Sequence, residues 1–272
     1  MPKIIQTKTI IIGSIAILLA VGLVFFRSDV SRFLSLMPNN NVSLVIEERN
    51  TTPDTSVYEP NGEENPQEAV ASKAPVYTGR DPAEIRPNPD EVKGLSESQR
   101  EKTYSDIGDF GRAVKGNPDF FFGWIQLGLL KKVIGDYEGA RDAWEYAGAI
   151  RPENSVSFAN LGELYWRYLP DYPRAEKNFL TAIKNMPDDS STYTSLSDLY
   201  YYSYSEKKDQ ADDILLKGIA ANPKDSNLMR WLASLYEREK KYSEALGWWR
   251  KVLALFPRDA AVQERISELE KK

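Results

Sequence analysis

The chain has 272 residues, of which 42% are hydrophobic, and a formal net charge of −5. It contains no histidine and no cysteine. That composition excludes thiol nucleophiles and nearly all zinc and haem sites, and it removes the usual proton shuttle at neutral pH. We therefore predict that the protein is not an enzyme and has no metal, cofactor or small-molecule substrate.

The first predicted element is a single transmembrane helix. Thr9–Phe26 is a run of 18 residues without a charge, preceded by Lys3 and Lys8 and followed by Arg27. At about 1.5 Å per residue the run spans roughly 27 Å, which is enough for the hydrocarbon core of a bilayer. A cleaved signal peptide would have a shorter apolar core and a small-x-small site after it. Residues 1–37 are thus predicted to be an uncleaved membrane anchor and a juxtamembrane segment, with the lipid bilayer as a partner.

The membrane orientation follows from the lengths on either side of the span. A short N-terminus and a long C-terminal part favour a single-pass plasma-membrane protein whose C-terminal domain is extracytoplasmic. The flanking basic residues add only a slight bias.

An acidic stretch rich in proline and asparagine follows the anchor. Residues 38–95 hold 11 acidic and 5 basic residues, a net charge of −6, and few large apolar side chains. Such a segment cannot bury enough surface to fold alone. We predict a disordered linker that tethers the rest of the chain.

Five prolines recur through the C-terminal two-thirds of the chain at intervals of 34, 35, 36 and 34 residues. They are Pro118, Pro152, Pro187, Pro223 and Pro257. A large residue stands eight positions before each proline and a small or short residue five positions before it, so both lie on one helical face. The large residues are Phe110, Trp144, Phe179, Leu215 and Trp249. This period predicts stacked helical hairpins and a protein that binds other proteins.

A second motif marks the first helix of each hairpin. It reads Trp124-x-x-Leu127-Gly128, Phe158-x-x-Leu161-Gly162-x-x-Tyr165, Tyr193-x-x-Leu196-Ser197-x-x-Tyr200 and Met229-x-x-Leu232-Ala233-x-x-Tyr236. Together with the prolines and with Ala140, Ala175, Ala211 and Ala245, these residues resemble the tetratricopeptide repeat (TPR) family. The resemblance implies an all-α, right-handed α-solenoid of about four hairpins, with full repeats near 121–154, 155–189, 190–225 and 226–259. The first repeat departs from the family by placing Lys131 where a tyrosine is expected.

The TPR domain is predicted to cover residues 96–272 and to be closed at both ends. Residues 97–116 carry the second-helix pattern, but Pro87 and Pro89 interrupt any first helix before it. We therefore expect an N-terminal half-repeat. At the other end, Asp259 is expected to begin a C-terminal capping helix.

The family resemblance also implies which residues bind a partner. In TPR proteins the concave groove is lined by first-helix residues outside the packing motif. By position, these are Phe122, Ile125, Leu129, Lys132, Asn160, Glu163, Trp166, Arg167, Thr194, Asp198, Tyr201, Tyr202, Arg230, Trp231 and Glu237. They form the predicted site for a protein or peptide ligand.

The groove does not resemble the carboxylate clamp of some family members. Ile125 and Leu129 stand at the first-repeat places of that clamp, and Asn160 alone does not complete it. The aromatic residues instead favour a peptide with hydrophobic anchors. Replacing Trp166 and Tyr201 by alanine should then abolish partner capture with little change in melting.

The sequence predicts a membrane-tethered scaffold or adaptor, with envelope, secretion or pilus assembly as candidate settings. Two alternatives stay open: a structural solenoid that forms homo-oligomers, and an accessory subunit of an envelope enzyme complex. Nucleic acid is not expected as a partner, because Ser96 to the end holds 26 basic and 28 acidic residues in mixed order.

Overall fold

The computed structural model describes residues 74–272, and all regular secondary structure in that range is helical. A short helix, α1, and a long one, α2, come first, four helix pairs follow, and α11 ends the described chain. The bounds are α1 Pro89–Val92, α2 Glu97–Gly116, α3 Phe121–Val133, α4 Tyr137–Ile150, α5 Val156–Arg167, α6 Tyr172–Asn185, α7 Ser190–Tyr202, α8 Ala211–Ala221, α9 Ser226–Arg238, α10 Tyr242–Leu255 and α11 Ala260–Leu269. A 3-10 turn, Ser205–Gln210, lies between α7 and α8.

Aspartate is the N-cap residue of five of the described helices. Asp136, Asp171, Asp189, Asp225 and Asp259 each accept a hydrogen bond from a main-chain N–H two or three residues later. Each bond satisfies a donor that the first helical turn leaves without an intrahelical partner, and the negative charge suits the helix N-terminus. The predicted role of Asp259 is confirmed.

The two helices of each pair pack against each other, and the second helix packs against the first helix of the next pair. Small residues at the repeat positions make this close approach possible. A Cβ atom on Gly128 would lie 2.6 Å from Cδ1 of Trp144, and one on Gly162 would lie 2.6 Å from Cε1 of Phe179. At the matching place in the third pair, the hydroxyl of Ser197 donates to the main-chain oxygen of Ala211 at 2.8 Å. The predicted series of helical hairpins is therefore confirmed.

The two ends of the array match the prediction. Helix α2 has the predicted half-repeat bounds, packs against α3 and buries Ile107 and Val114. Helix α11 packs against α10 and buries Val262 and Leu269. Both helices cover apolar side chains that the terminal hairpins would otherwise expose.

Residues 74–95, here called the N-terminal strap, pack on the array. The ring of Tyr77 lies with its centroid 4.6 Å from that of Trp124 and 5.2 Å from that of Tyr146. The Tyr146 hydroxyl donates to the main-chain oxygen of Pro75 at 2.7 Å. Further along the strap, Val92 is buried and the main-chain N–H of Asn88 donates to the oxygen of Ile134 at 2.7 Å.

Charged groups hold the strap as well. The guanidinium of Arg80 lies 3.0 Å from Asp142 and 3.2 Å from Asp136, and Nζ of Lys131 donates to the main-chain oxygen of Glu84 at 2.7 Å. The prediction of a disordered linker running to residue 95 is thus wrong for residues 74–95. The average composition of residues 38–95 is polar and acidic, but a few side chains in residues 74–95 are buried or paired with charged residues of the array. These contacts give residues 74–95 a defined structure.

The predicted membrane anchor lies outside the described residues, as do residues 38–73 of the predicted linker. Within residues 74–272, none of the helices combines the length and the apolar character needed to span a bilayer.

Candidate functional site

All fifteen predicted binding residues lie on α3, α5, α7 and α9. We call the side of these helices that carries them the first-helix face. Neighbouring first helices contact one another directly, α5 with α7 and α7 with α9. The face is therefore continuous across at least three repeats.

Several of the predicted residues serve packing. Ile125 is buried, Phe122 packs edge-on against Phe110 with 6.5 Å between ring centroids, and Leu129 packs on the core. Trp166 is only 8% exposed, and its indole N–H donates to the hydroxyl of Ser203 at 2.8 Å. In contrast to the expectation of little change in melting, we now expect the loss of Trp166 to lower stability, because it would leave a buried cavity.

Polar contacts join α5 to α7 and α7 to α9. The hydroxyl of Ser195 donates to Glu163 at 2.9 Å, and the indole N–H of Trp231 donates to Asp198 at 3.2 Å. Arg230 donates to Asp259 at 2.7 Å. These bonds run from α7 to α5, from α9 to α7 and from α9 to the start of α11, so they hold the face in one arrangement.

Burial shifts the titration of two groups on the face. It raises the pKa of Asp198, while the bond from Trp231 and the nearby guanidinium groups of Arg238 and Arg167 act in the opposite direction. It lowers the pKa of Lys132, whose ammonium group lies 5.6 Å from the ring centroid of Tyr168, while Glu163 acts in the opposite direction. Both shifts have the sign expected when a charged group is partly removed from water.

Two large aromatic side chains remain accessible on this face. Tyr202 is 56% exposed and Trp231 is 40% exposed. The guanidinium of Arg238 lies 5.6 Å from the ring centroid of Tyr202, and that of Arg167 lies 3.6 Å from the ring centroid of Trp166. The exposed side chains on this face, Tyr202, Trp231, Arg167 and Arg238, combine aromatic rings with delocalised positive charge.

The remaining predicted residues have local contacts. Tyr201 meets Tyr202 edge-on at 4.9 Å between centroids, and its ring lies 4.9 Å from the ammonium group of Lys208. Thr194 donates to the main-chain oxygen of Ser191 within its own helix at 2.8 Å. Asn160 is half-buried on α5.

A cleft at the end of the face was not predicted. It has a volume of about 540 Å³ and lies between α9, α10 and α11. Its walls carry four basic side chains, Arg230, Arg238, Arg265 and Lys272, and one acidic side chain, Glu237.

Glu237 lies in the wall of this cleft. It accepts a hydrogen bond from the indole N–H of Trp249 at 2.6 Å and is paired with Arg265, so it forms part of the cleft wall. Arg265 stands three residues after the buried Val262, and this spacing places it on the packed side of α11. That spacing was the sequence signal for the cleft.

Within residues 74–272, no group of three or more histidine, cysteine, aspartate or glutamate side chains comes together to hold a metal ion. The paired helices, the repeat residues and the two end helices define a TPR-like α-solenoid. In this class of fold, stacked hairpins present one continuous face of first helices.

Comparisons with solved structures return several proteins with a similar arrangement of helices, two of which are described as TPR proteins. The structure titled MamA is 18% identical, with 61% of this chain and 97% of that chain covered and a TM-score of 0.48. YrrB, titled a TPR protein with an unusual peptide-binding site, is 17% identical over 59% of this chain and 81% of its own, with a TM-score of 0.44. TTC0263, a thermophilic TPR protein in Thermus thermophilus, is 20% identical over 67% of this chain and 98% of its own, with a TM-score of 0.42. No protein-family model and no curated protein matches the sequence.

Proposed function

We propose that the protein is a membrane-tethered scaffold that binds a partner protein or peptide on its first-helix face. The observation that carries this proposal is the accessible pair Tyr202 and Trp231, with the guanidinium of Arg238 beside the ring of Tyr202. Tryptophan, tyrosine and arginine are the residues that most often dominate binding energy at protein interfaces.

The surroundings of the aromatic pair favour binding. Trp231 is held by its hydrogen bond to Asp198, and the ring of Tyr202 lies beside Arg238. Side chains that are already ordered lose less conformational entropy when a partner covers them. A peptide with apolar side chains would also cover ring surface that is now in contact with water.

The tether part of the proposal rests on the uncharged run Thr9–Phe26. We place the protein in the plasma membrane with the solenoid outside the cytoplasm, where it would recruit partners for envelope, secretion or pilus assembly. Ala20→Arg would put a charge near the middle of the span and should move the full chain from the carbonate-resistant membrane fraction to the soluble fraction. Retention of Ala20→Arg in the membrane fraction would argue against this anchor.

The binding surface can be tested with two matched double variants of the full chain. Tyr202→Ala with Trp231→Ala removes the aromatic pair, whereas Leu180→Ala with Leu216→Ala removes two exposed apolar side chains from the second helices α6 and α8. Crosslinking and affinity capture from native membranes should recover partners with the wild type and the leucine variant but not with the aromatic variant. Recovery of the same partners by the aromatic variant would contradict the proposal.

Molar mass in solution tests the alternative of self-association. The partner would be a second copy of this chain if the molar mass of the wild type rises with protein concentration while the aromatic variant stays a monomer. Light scattering coupled to size-exclusion chromatography measures this directly.

A further inference from the structure

We infer that the cleft between α9, α10 and α11 binds acidic side chains of the partner peptide, so that the peptide lies in one direction along the first-helix face. This inference rests on the proposed function and adds the chemical class of the ligand and its orientation. It begins from the charges of the cleft, whose walls carry four basic groups and one acidic group.

Two of the basic groups are held in place by neighbouring acids. Arg230 is bound to Asp259 at 2.7 Å, and Arg265 is bound to Glu268 at 2.7 Å and to Glu237. A guanidinium group has five N–H donors, and Arg230 uses one of them in its bond to Asp259. Within residues 74–272 the other donors of Arg230 make no side-chain hydrogen bond, so they can meet a ligand carboxylate.

Arg238 has no such acidic partner. Among the described residues no carboxylate lies within ion-pair distance of its guanidinium, which rests 5.6 Å from the ring centroid of Tyr202. Lys272 likewise lies over a ring, that of Tyr242, at 4.9 Å. Within residues 74–272, Arg238 and Lys272 thus make no ion pair, although Asp198 lies near enough to Arg238 for the two charges to interact. The cleft presents these two basic groups beside the paired Arg230 and Arg265.

The position of Arg238 sets the direction of the peptide. Arg238 belongs to the cleft wall and also contacts Tyr202, which belongs to the accessible aromatic pair. A single extended peptide can therefore place an apolar anchor on Tyr202 and Trp231 and its acidic residues in the cleft. Arginine pairs well with carboxylates because its planar group can donate two parallel hydrogen bonds.

The test uses the full chain in detergent solution and a displayed library of random 12-residue peptides fused at both ends. Selected peptides that compete with one another should share two features: an apolar or aromatic residue, and a glutamate or aspartate near it. The acidic residue should lie on the same side of the apolar residue, N-terminal or C-terminal, in all of these peptides. Fusion at both ends removes the free C-terminal carboxylate. An acidic preference in this library therefore comes from side chains, whereas one that appears only with free C-termini would overturn the inference.

Charge reversal identifies the site. Arg238→Glu should weaken a selected acidic peptide at least tenfold, because a charge-assisted hydrogen bond is lost and a repulsion is gained, and should leave the neutral glutamine version of that peptide nearly unaffected. Lys177→Glu with Lys184→Glu on α6 reverses two exposed charges on a second helix and should have little effect. Circular dichroism and melting check that each variant is folded.

The possible failures are distinct. Peptides that need Tyr202 and Trp231 but show no acidic preference, or whose acidic preference survives Arg238→Glu, would overturn the inference and leave the proposed function standing. A library that yields no peptide sensitive to the aromatic double variant would overturn both.

Discussion

The side chain of Lys131 donates a hydrogen bond to the main-chain oxygen of Glu84 at 2.7 Å, across 47 residues of sequence. Lys131 is buried and also pairs with Asp136 at 3.1 Å. In the other three pairs the same repeat place holds a tyrosine whose hydroxyl bonds an acidic side chain of the preceding helix: Tyr165 to Glu145, Tyr200 to Glu176 and Tyr236 to Asp212. The exception in the first repeat is therefore one of the places where the N-terminal strap is attached.

Replacing Lys131 should be strongly destabilising. Lys131→Met keeps the apolar stem but leaves Asp136 with one charged partner fewer in a buried site, so we expect a loss of about 2–4 kcal/mol in the free energy of unfolding. Lys102→Met removes an exposed lysine that pairs with Asp106 and should cost less than about 0.5 kcal/mol. Urea unfolding measures both, and equal effects would contradict the assigned role of Lys131.

The ring of Tyr77 should contribute to stability as a core residue does. It contacts Trp124 and Tyr146, and we expect Tyr77→Ala to lower the free energy of unfolding by about 2–3 kcal/mol. Val76, its neighbour, is 85% exposed, so Val76→Ala should have almost no effect. Near-ultraviolet circular dichroism should show the altered environment of Trp124 in the first variant only. An unchanged spectrum and stability in Tyr77→Ala would mean that the strap is not held on the array.

Gly128 and Gly247 should respond in opposite directions to alanine. A Cβ on Gly128 would overlap the ring of Trp144, and we expect Gly128→Ala to cost about 1–3 kcal/mol or more. Gly247 lies inside α10 with no atom within 4 Å of an added Cβ, so Gly247→Ala should gain about 0.5–1 kcal/mol from helix propensity. Thermal melting measures both, and a Gly128→Ala variant that melts at or above the wild-type temperature would contradict the predicted overlap with Trp144.

Alanine substitutions of Trp166 and Trp231 should have different effects, the first mainly on stability and the second mainly on binding. Trp166→Ala empties a buried site and should cost about 3–5 kcal/mol, whereas Trp231→Ala removes an exposed ring and should cost less than about 1 kcal/mol. Binding of a selected peptide should weaken in the folded Trp231 variant. The interpretation of the face fails if Trp231→Ala proves the more destabilising change.

Asp198 should make the folded state less stable as the pH rises from acidic to neutral values. Burial raises its pKa above the ordinary value of 3.8, so protonation favours the folded state. The stabilising contribution is complete below pH 3.8 and is lost as the pH rises through the raised pKa. Asp198→Asn has no charge and can still accept the bond from Trp231, so it should be more stable than the wild type at about pH 7, with a difference that shrinks as the pH approaches about 4.

Urea unfolding at about pH 7 and about pH 4.5 measures this difference. Asp209→Asn, on the exposed 3-10 turn, is the control and should show no comparable gain at neutral pH. A gain for Asp198→Asn that is the same at both pH values would rule out titration of Asp198 as its cause.

Much of the helical array could be predicted because its signals are local and periodic. The spacing of Trp144 and Phe179 before their prolines, and the small residues at Gly128 and Gly162, repeat once per hairpin and reflect the same packing in each. The strap was missed because its order depends on contacts with residues far along the chain. Nothing near Arg80 in the sequence indicates Asp136 and Asp142.

For the first-helix face, too, some features could be predicted from the sequence and others could not. Helical periodicity placed Trp166 and Trp231 on one side of their helices, but it cannot tell which ring a neighbouring helix covers. The sequence by itself determined the number of hairpins, their boundaries and the helices that form the face, because each hairpin repeats one local pattern. Only the tertiary structure decided that Trp166 is buried, that Tyr202 and Trp231 are accessible, and that Arg265 comes to lie beside Arg230 and Arg238. Burial and charge pairing depend on neighbours that folding brings together, and those neighbours have no fixed spacing in the chain.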